Sequence, residues 1–145
     1  MKDYLELGLF QKFVKDVRKD FRPNTDDRFN RSEIDLISIL AREKGKTYRF
    51  YNDHVKLEKG SFTYVVDLLV DKGLILSLYN VNDRRKKTLK LTDKGISLVE
   101  DINKQFLTYI NEKFTVFSNK DIEDLNLAFD IIERLDTKFM KNSSK

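Results

Sequence analysis

One stretch limits the possible folds more than any other. Asp83-Arg84-Arg85-Lys86-Lys87 places one acid and four cations side by side, between two short apolar runs. Leu74-Ile75-Leu76-Ser77-Leu78-Tyr79 precedes it, and Thr88-Leu89-Lys90-Leu91 follows with apolar/polar alternation. Two such runs joined by a short polar segment form a β-hairpin. Four adjacent cations at its tip repel one another, and an anionic partner such as nucleic-acid phosphate relieves that repulsion. Taken alone, such a run is more often a solvated basic turn.

The distribution of charge favours the first alternative. A formal net charge of +4 over 145 residues points to no partner by itself. Between Arg42 and Lys94, however, 13 Lys/Arg face 7 Asp/Glu, a net +6, which leaves −2 on the rest of the chain. One positive central surface with different duties at the ends suits a polyanion-binding protein. There is no cysteine, which excludes disulfides, thiol switches and thiolate metal sites, and His54 is the only histidine. No metal site, no cofactor and no enzyme active site is therefore expected: no Gly-rich phosphate loop, ligand spacing or activated nucleophile is present. No segment approaches the roughly 18 apolar residues of a membrane span, and the start lacks a signal-peptide core, so a cytoplasmic protein without membrane attachment is expected.

The chain divides into helices around the hairpin. Leu5, Leu9, Phe13, Val17 and Phe21 recur every four residues, predicting a helix over 4–21 that ends at Arg22-Pro23. Asn30 with Glu33 three residues on predicts a capping box and a second helix, closed by Lys44-Gly45-Lys46. Thr47 caps a short helix with Tyr48, Tyr51 and Val55 on one face. Another helix covers 60–71, burying Phe62, Val65, Val66 and Leu69, with Gly73 at its C-terminal stop. Its opposite face presents Ser61, Thr63, Tyr64, Asp67 and Leu68. Two short helices, a tight turn and then a basic hairpin predict a helix-turn-helix with a wing over 31–92. The fold class is mainly α with a small β-hairpin wing.

From Thr92 a long helix carries Ile96, Val99, Ile102, Phe106, Tyr109, Ile110, Phe114 and Phe117. After a break at Ser118-Asn119-Lys120-Asp121, a last helix carries Ile122, Leu125, Phe129, Ile132, Leu135 and Phe139. This is more apolar surface than a small winged helix covers, and it would leave a large patch on a monomer. A homodimer follows, with Leu5, Leu9, Phe13, Phe106, Tyr109, Ile110, Phe114, Phe117, Ile122, Leu125, Phe129 and Ile132 as dimerisation residues. Two-fold dimers also suit helix-turn-helix proteins that read palindromic sites.

Two motifs carry a family resemblance. Lys59-Gly60-Ser61-Phe62-Thr63-Tyr64-Val65-Val66-Asp67-Leu68-Leu69-Val70-Asp71-Lys72-Gly73-Leu74-Ile75 resembles the recognition helix and first wing strand of MarR-type (multiple antibiotic resistance) regulators. Asp83-Arg84-Arg85, followed by Leu89-Lys90-Leu91-Thr92-Asp93-Lys94-Gly95, is similar to that family's wing signature and the start of its long helix. Asn52 departs from the pattern, standing where the family has a small apolar residue.

The resemblance implies a single MarR-like domain over 1–145. Residues 1–22 and 93–140 would be dimerisation helices, 31–92 the DNA-binding region and 141–145 a frayed tail. It implies a sequence-specific regulator of double-stranded DNA, usually a repressor, often released by a small-molecule effector. That effector would lodge between the long helix and the winged domain, beside aromatics of 4–21 and 48–51. Ser61, Thr63 and Tyr64 would face base edges, and Arg84 and Arg85 would lie near the minor groove with Asp83 orienting an arginine. Lys46, Arg49, Lys56, Lys59, Lys86 and Lys87 are candidate phosphate contacts. The alternative is a winged-helix module that binds another protein without touching DNA.

Overall fold

The computed structural model describes the backbone of residues 4–57, 60–83 and 85–143, and the side chains of 8–57, 60–83 and 85–142. In chain order the elements are α1 (Tyr4–Arg18), α2 (Arg31–Arg42), α3 (Tyr48–His54), α4 (Phe62–Asp71), β1 (Ile75–Tyr79), β2 (Lys87–Leu91), α5 (Asp93–Lys113), a 3-10 turn (Phe114–Val116) and α6 (Asn119–Ser143). They group into two compact units: Phe21–Leu107, and the chain up to Asp20 together with Thr108 onward.

In the Phe21–Leu107 unit, local chemistry sets each boundary. Asn30 caps α2 with its side chain on the Glu33 N–H (2.9 Å), and Glu33 returns the bond to the Asn30 N–H (2.9 Å). Thr47 Oγ1 accepts from the Phe50 N–H and starts α3. Gly73, at φ +70°, ends α4: its N–H donates to the Val70 carbonyl and that of Leu74 to the Leu69 carbonyl, the paired C-terminal bonds of a Schellman motif. β1 and β2 pair antiparallel, from Ile75 opposite Leu91 to Tyr79 opposite Lys87. Leu36, Ile37, Tyr51, Val65, Leu69, Leu74 and Ile75 are the most deeply buried residues of the core. Asn52 is exposed and leaves the packing of α3 undisturbed. The Tyr51 hydroxyl donates to the Glu43 carbonyl (2.5 Å) and accepts from the Lys46 N–H (3.2 Å). Burial pushes this phenol above its usual range.

Two tertiary locks are less visible in the sequence. Glu33 is only 3% exposed, and Lys72 Nζ donates to its Oε1 at 2.6 Å and to the Arg28 carbonyl at 2.9 Å. The start of α2 is thereby tied to the end of α4. The second lock is centred on Thr92. Its hydroxyl donates to the Gly73 carbonyl (2.7 Å) and accepts from the Gly95 N–H (3.1 Å), while its own N–H donates to the Leu74 carbonyl (3.0 Å). Here α5 starts so close to β1 that a Cβ on Gly95 would lie 2.1 Å from the Leu74 oxygen.

The other unit holds α1, the end of α5 and α6. The Tyr109 hydroxyl donates to the Val17 carbonyl (3.0 Å), and Lys113 pairs with Asp20 at 3.4 Å. Ser118 and Asp121 exchange capping bonds at the start of α6, which hold the Asp121 carboxyl below its usual range.

Several boundaries differ from the sequence expectation. α1 stops at Arg18 rather than near residue 21. α4 begins at Phe62, because Ser61 is its cap. α5 ends at Lys113, where Phe114–Val116 tighten into the 3-10 turn and the Phe114 ring packs edge-on against Phe117. α6 is continuous to Ser143, with neither Gly nor Pro among residues 119–143.

Gly95→Ala is expected to lower unfolding free energy by about 1–3 kcal/mol, the range for overpacked sites, because its methyl meets backbone rather than a flexible side chain. Chemical denaturation measures this.

Candidate nucleic-acid interface

α3 and α4 are joined through a turn that is anchored from below: Val55 is buried, and Ser32 donates to the Lys56 carbonyl at 3.2 Å. The apolar face of α4 (Phe62, Val65, Val66, Leu69) enters the core, which turns Thr63, Tyr64 and Asp67 outward. Tyr64 is 54% exposed, and its ring lies against Gly60, where φ is +76° and an added Cβ would touch the ring at 3.0 Å. Ser61 is exposed, but its Oγ accepts from the Tyr64 N–H at 3.2 Å and serves as the cap of α4. The Thr63 hydroxyl lies 3.1 Å from that of Tyr48.

The hairpin tip is built by side chains that replace missing backbone partners. The Asn80 N–H donates to the Lys86 carbonyl (2.8 Å), and the Lys86 N–H to the Asp83 carbonyl (2.9 Å). Asn80 Oδ1 accepts from the Asn82 N–H (2.9 Å), and Asp83 Oδ1 from the Arg85 N–H (3.0 Å). Both are local Asx-type closures. Asp83 thus acts on the backbone of Arg85. Arg85 and Lys86 project into solvent, whereas Lys87 is half-buried, its ammonium 5.2 Å from the ring centre of Tyr79 and 5.9 Å from that of Tyr48.

The remaining candidate cations are less tightly placed. Lys46 and Lys56 are exposed, Lys46 lying over the Phe50 ring at 5.6 Å. Arg49 is exposed and pairs with Asp53 at 3.7 Å. Lys59, Arg84 and the Leu5 side chain lie outside the described residues. His54 is exposed, stacked on Phe50 with ring centres 4.1 Å apart. Among the described residues no group of three or more His, Cys, Asp or Glu is arranged to hold a metal ion, and no helix is long and apolar enough to cross a membrane. Sequence reasoning passed over Tyr48 and Tyr79 as site residues. Tyr79 was accessible from the hairpin alone, because the register sets it directly opposite Lys87.

Comparison with known proteins gives the architecture its place. No family model matches. Over 94 residues the chain is 32% identical to the HTH-type transcriptional regulator MhqR of Bacillus subtilis, a match spanning 65% of this chain and 65% of that relative. A MarR transcriptional regulator from Methanosarcina mazei superposes with a TM-score of 0.58 at 20% identity, covering 92% of this chain and 91% of the other. BpsR of Bordetella bronchiseptica, whose DNA binding is regulated by 6-hydroxynicotinic acid, superposes with a TM-score of 0.63 at 14% identity, covering 90% of this chain and 99% of the other. The chain has the MarR-family fold.

Within this MarR-type fold, the residues expected to dimerise fall into two groups. Phe13, Phe106, Tyr109, Ile110, Phe114, Ile122 and Leu125 are half-buried, Phe106 meeting Phe21 edge-on at 5.0 Å. Leu9 (66% exposed), Phe117, Phe129 and Ile132 are exposed. The Phe21–Leu107 unit also has a cleft of about 300 Å³ between the loop at Asn24–Phe29 and the first turns of α5, lined by Asp26, Asp27, Phe29, Lys94, Leu98 and Asp101 among others. Its lining includes none of the aromatics of 4–21 or 48–51 expected around an effector.

Ser61→Ala is expected to destabilise the MarR-type unit by about 1 kcal/mol, the usual loss for a helix cap. The Tm of the variant measures this, and Ser61→Asp, which retains an acceptor, is expected to restore most of it.

Proposed function

We propose that this chain is a sequence-specific regulator of transcription that binds double-stranded DNA as a homodimer in the cytoplasm, acting as a repressor whose hold on a palindromic operator is released by a small-molecule effector. The observation that carries the proposal is the pairing of an α4 face bearing Thr63, Tyr64 and Asp67 with a hairpin tip that bears Arg85 and Lys86 and is closed by Asn80 and Asp83. α4 fits a major groove, where hydroxyls and carboxylates read base edges. The tip fits the adjacent backbone and minor groove, where arginine is favoured by the negative potential. Lys46, Arg49, Lys56 and Lys87 would add phosphate contacts, which fix position without reading sequence. Arg49 would exchange Asp53 for phosphate.

The dimer part of the proposal is supported by α6. None of its described side chains is buried, although Leu127, Phe129, Ile132, Leu135 and Phe139 are all large and apolar. A second copy would remove this surface from water, and light scattering tests that step. The effector part is supported by the MarR-type resemblance and by BpsR, whose DNA binding is regulated by 6-hydroxynicotinic acid.

Arg85→Ala is expected to weaken binding to any duplex the protein prefers and to reduce the slope of log K against log salt by about 0.9, the signature of one lost phosphate contact. Fluorescence anisotropy over a salt series measures both. A variant matching the wild type in affinity and slope would remove the wing from the interface.

A further inference from the structure

Three elements of the interface converge on one phenol ring. Tyr48 opens α3, is half-buried, and packs edge-on against Phe62 of α4 with ring centres 4.9 Å apart. Its hydroxyl lies 3.1 Å from Thr63 Oγ1 on the outward face of α4. The ammonium of Lys87, at the tip end of β2, stands 5.9 Å from the centre of the same ring. Tyr79 also lies near this ammonium, its ring centre 5.2 Å away.

We propose that Tyr48 is a positioning residue that fixes the orientation of the Thr63 hydroxyl toward a single base, while its ring seats Lys87 against a phosphate. This rests on the DNA-binding function above and specifies how one of its contacts is made. Either hydroxyl of the pair can be the donor, and chemistry decides between them. A phenol is far more acidic than an aliphatic alcohol and is the better donor of the two. Tyr48 therefore gives its proton and Thr63 accepts. A threonine hydroxyl has one proton and two lone pairs. With one lone pair occupied by Tyr48, Thr63 keeps one proton and one lone pair, both confined to the two directions away from the phenol.

A hydroxyl held in that state selects its partner. It offers its proton to base-edge acceptors such as guanine O6 or N7, adenine N7 or thymine O4 only along directions that the Tyr48 bond leaves open. Without Tyr48 the same hydroxyl turns freely among all three directions, and threonine reads little. The Lys87 seat follows a similar logic. An ammonium lying near two aromatic rings has fewer rotamers to lose on meeting a phosphate than the exposed Lys86 at the tip.

The test uses the intact protein and duplexes that the wild type enriches from a randomised library. Affinities for the best duplex and for its single-base-pair variants are measured with the wild type, Tyr48→Phe, Thr63→Val and the double variant. Tyr48→Phe keeps the ring on Phe62 and beneath Lys87, and its Tm confirms that packing. Its discrimination is expected to drop about fivefold, the worth of one hydrogen bond, at a single base pair. That pair is the one Thr63→Val affects, the double variant is no worse than Thr63→Val, and the salt slope is unchanged. Lys87→Gln is expected to lower the slope by about 0.9 and leave base preference intact. If Tyr48→Phe and Thr63→Val act at different base pairs, add, or leave discrimination untouched, the positioning role is overturned while DNA binding stands. An unchanged slope for Lys87→Gln overturns the seat. A wild type that enriches no sequence overturns this inference together with the function on which it rests.

Discussion

The winged-helix unit depends on one close approach, the start of α5 against the Leu74 carbonyl. Thr92 closes it by bonding at once to Gly73, Leu74 and Gly95. The end of α4, the entry to β1 and the N-terminus of α5 are thereby a single joint, possible only because Gly95 has no side chain. Lys94 adds to it, its ammonium donating to the Lys72 carbonyl at 3.0 Å. The direction in which the wing leaves α4 follows from this joint. So does the face of α4 that remains outward.

Lys72 extends the same joint to α2. Its carbonyl belongs to the C-terminal end of α4, while its ammonium reaches Glu33 and lies over the Phe29 ring at 4.3 Å. Glu33 is doubly committed, to the Asn30 N–H and to Lys72. A buried carboxylate is tolerable only when its lone pairs are engaged in this way, and removing one partner leaves a charge that water cannot reach. α4 is thus fixed at both ends, by the Ser61 cap and by Lys72 with Gly73. Its outward face retains Thr63, Tyr64 and Asp67, which take no part in the core.

Much of this was legible in the chain because the signals were local. The Asn30–Glu33 capping box, the Thr47 cap, Gly73 and the basic tip each involve residues within a few positions of one another, and hydrophobic spacing supplied the rest. The Glu33–Lys72 pair was not legible, since its partners are 39 residues apart and each has an ordinary local duty. Tyr48 was legible as part of one face of a short helix and as one of the aromatics of 48–51. Its position under Lys87 and beside Thr63 requires knowing how α3, α4 and the hairpin pack. Ser61 has a duty that its outward place did not reveal: its oxygen caps α4 by accepting from the Tyr64 N–H.

The central claim is that α4 and the wing form one DNA-reading surface, repeated by two-fold symmetry. Hydroxyl-radical footprinting of the intact protein on a duplex it has itself enriched tests this most directly. The account predicts paired protections related by a two-fold axis, each combining a major-groove patch with a flanking minor-groove patch at A·T-rich sequence. Loss of the flanking patches on substituting Arg85 would assign them to the wing. Uniform cleavage along every duplex tried, at low salt as well as high, would contradict it.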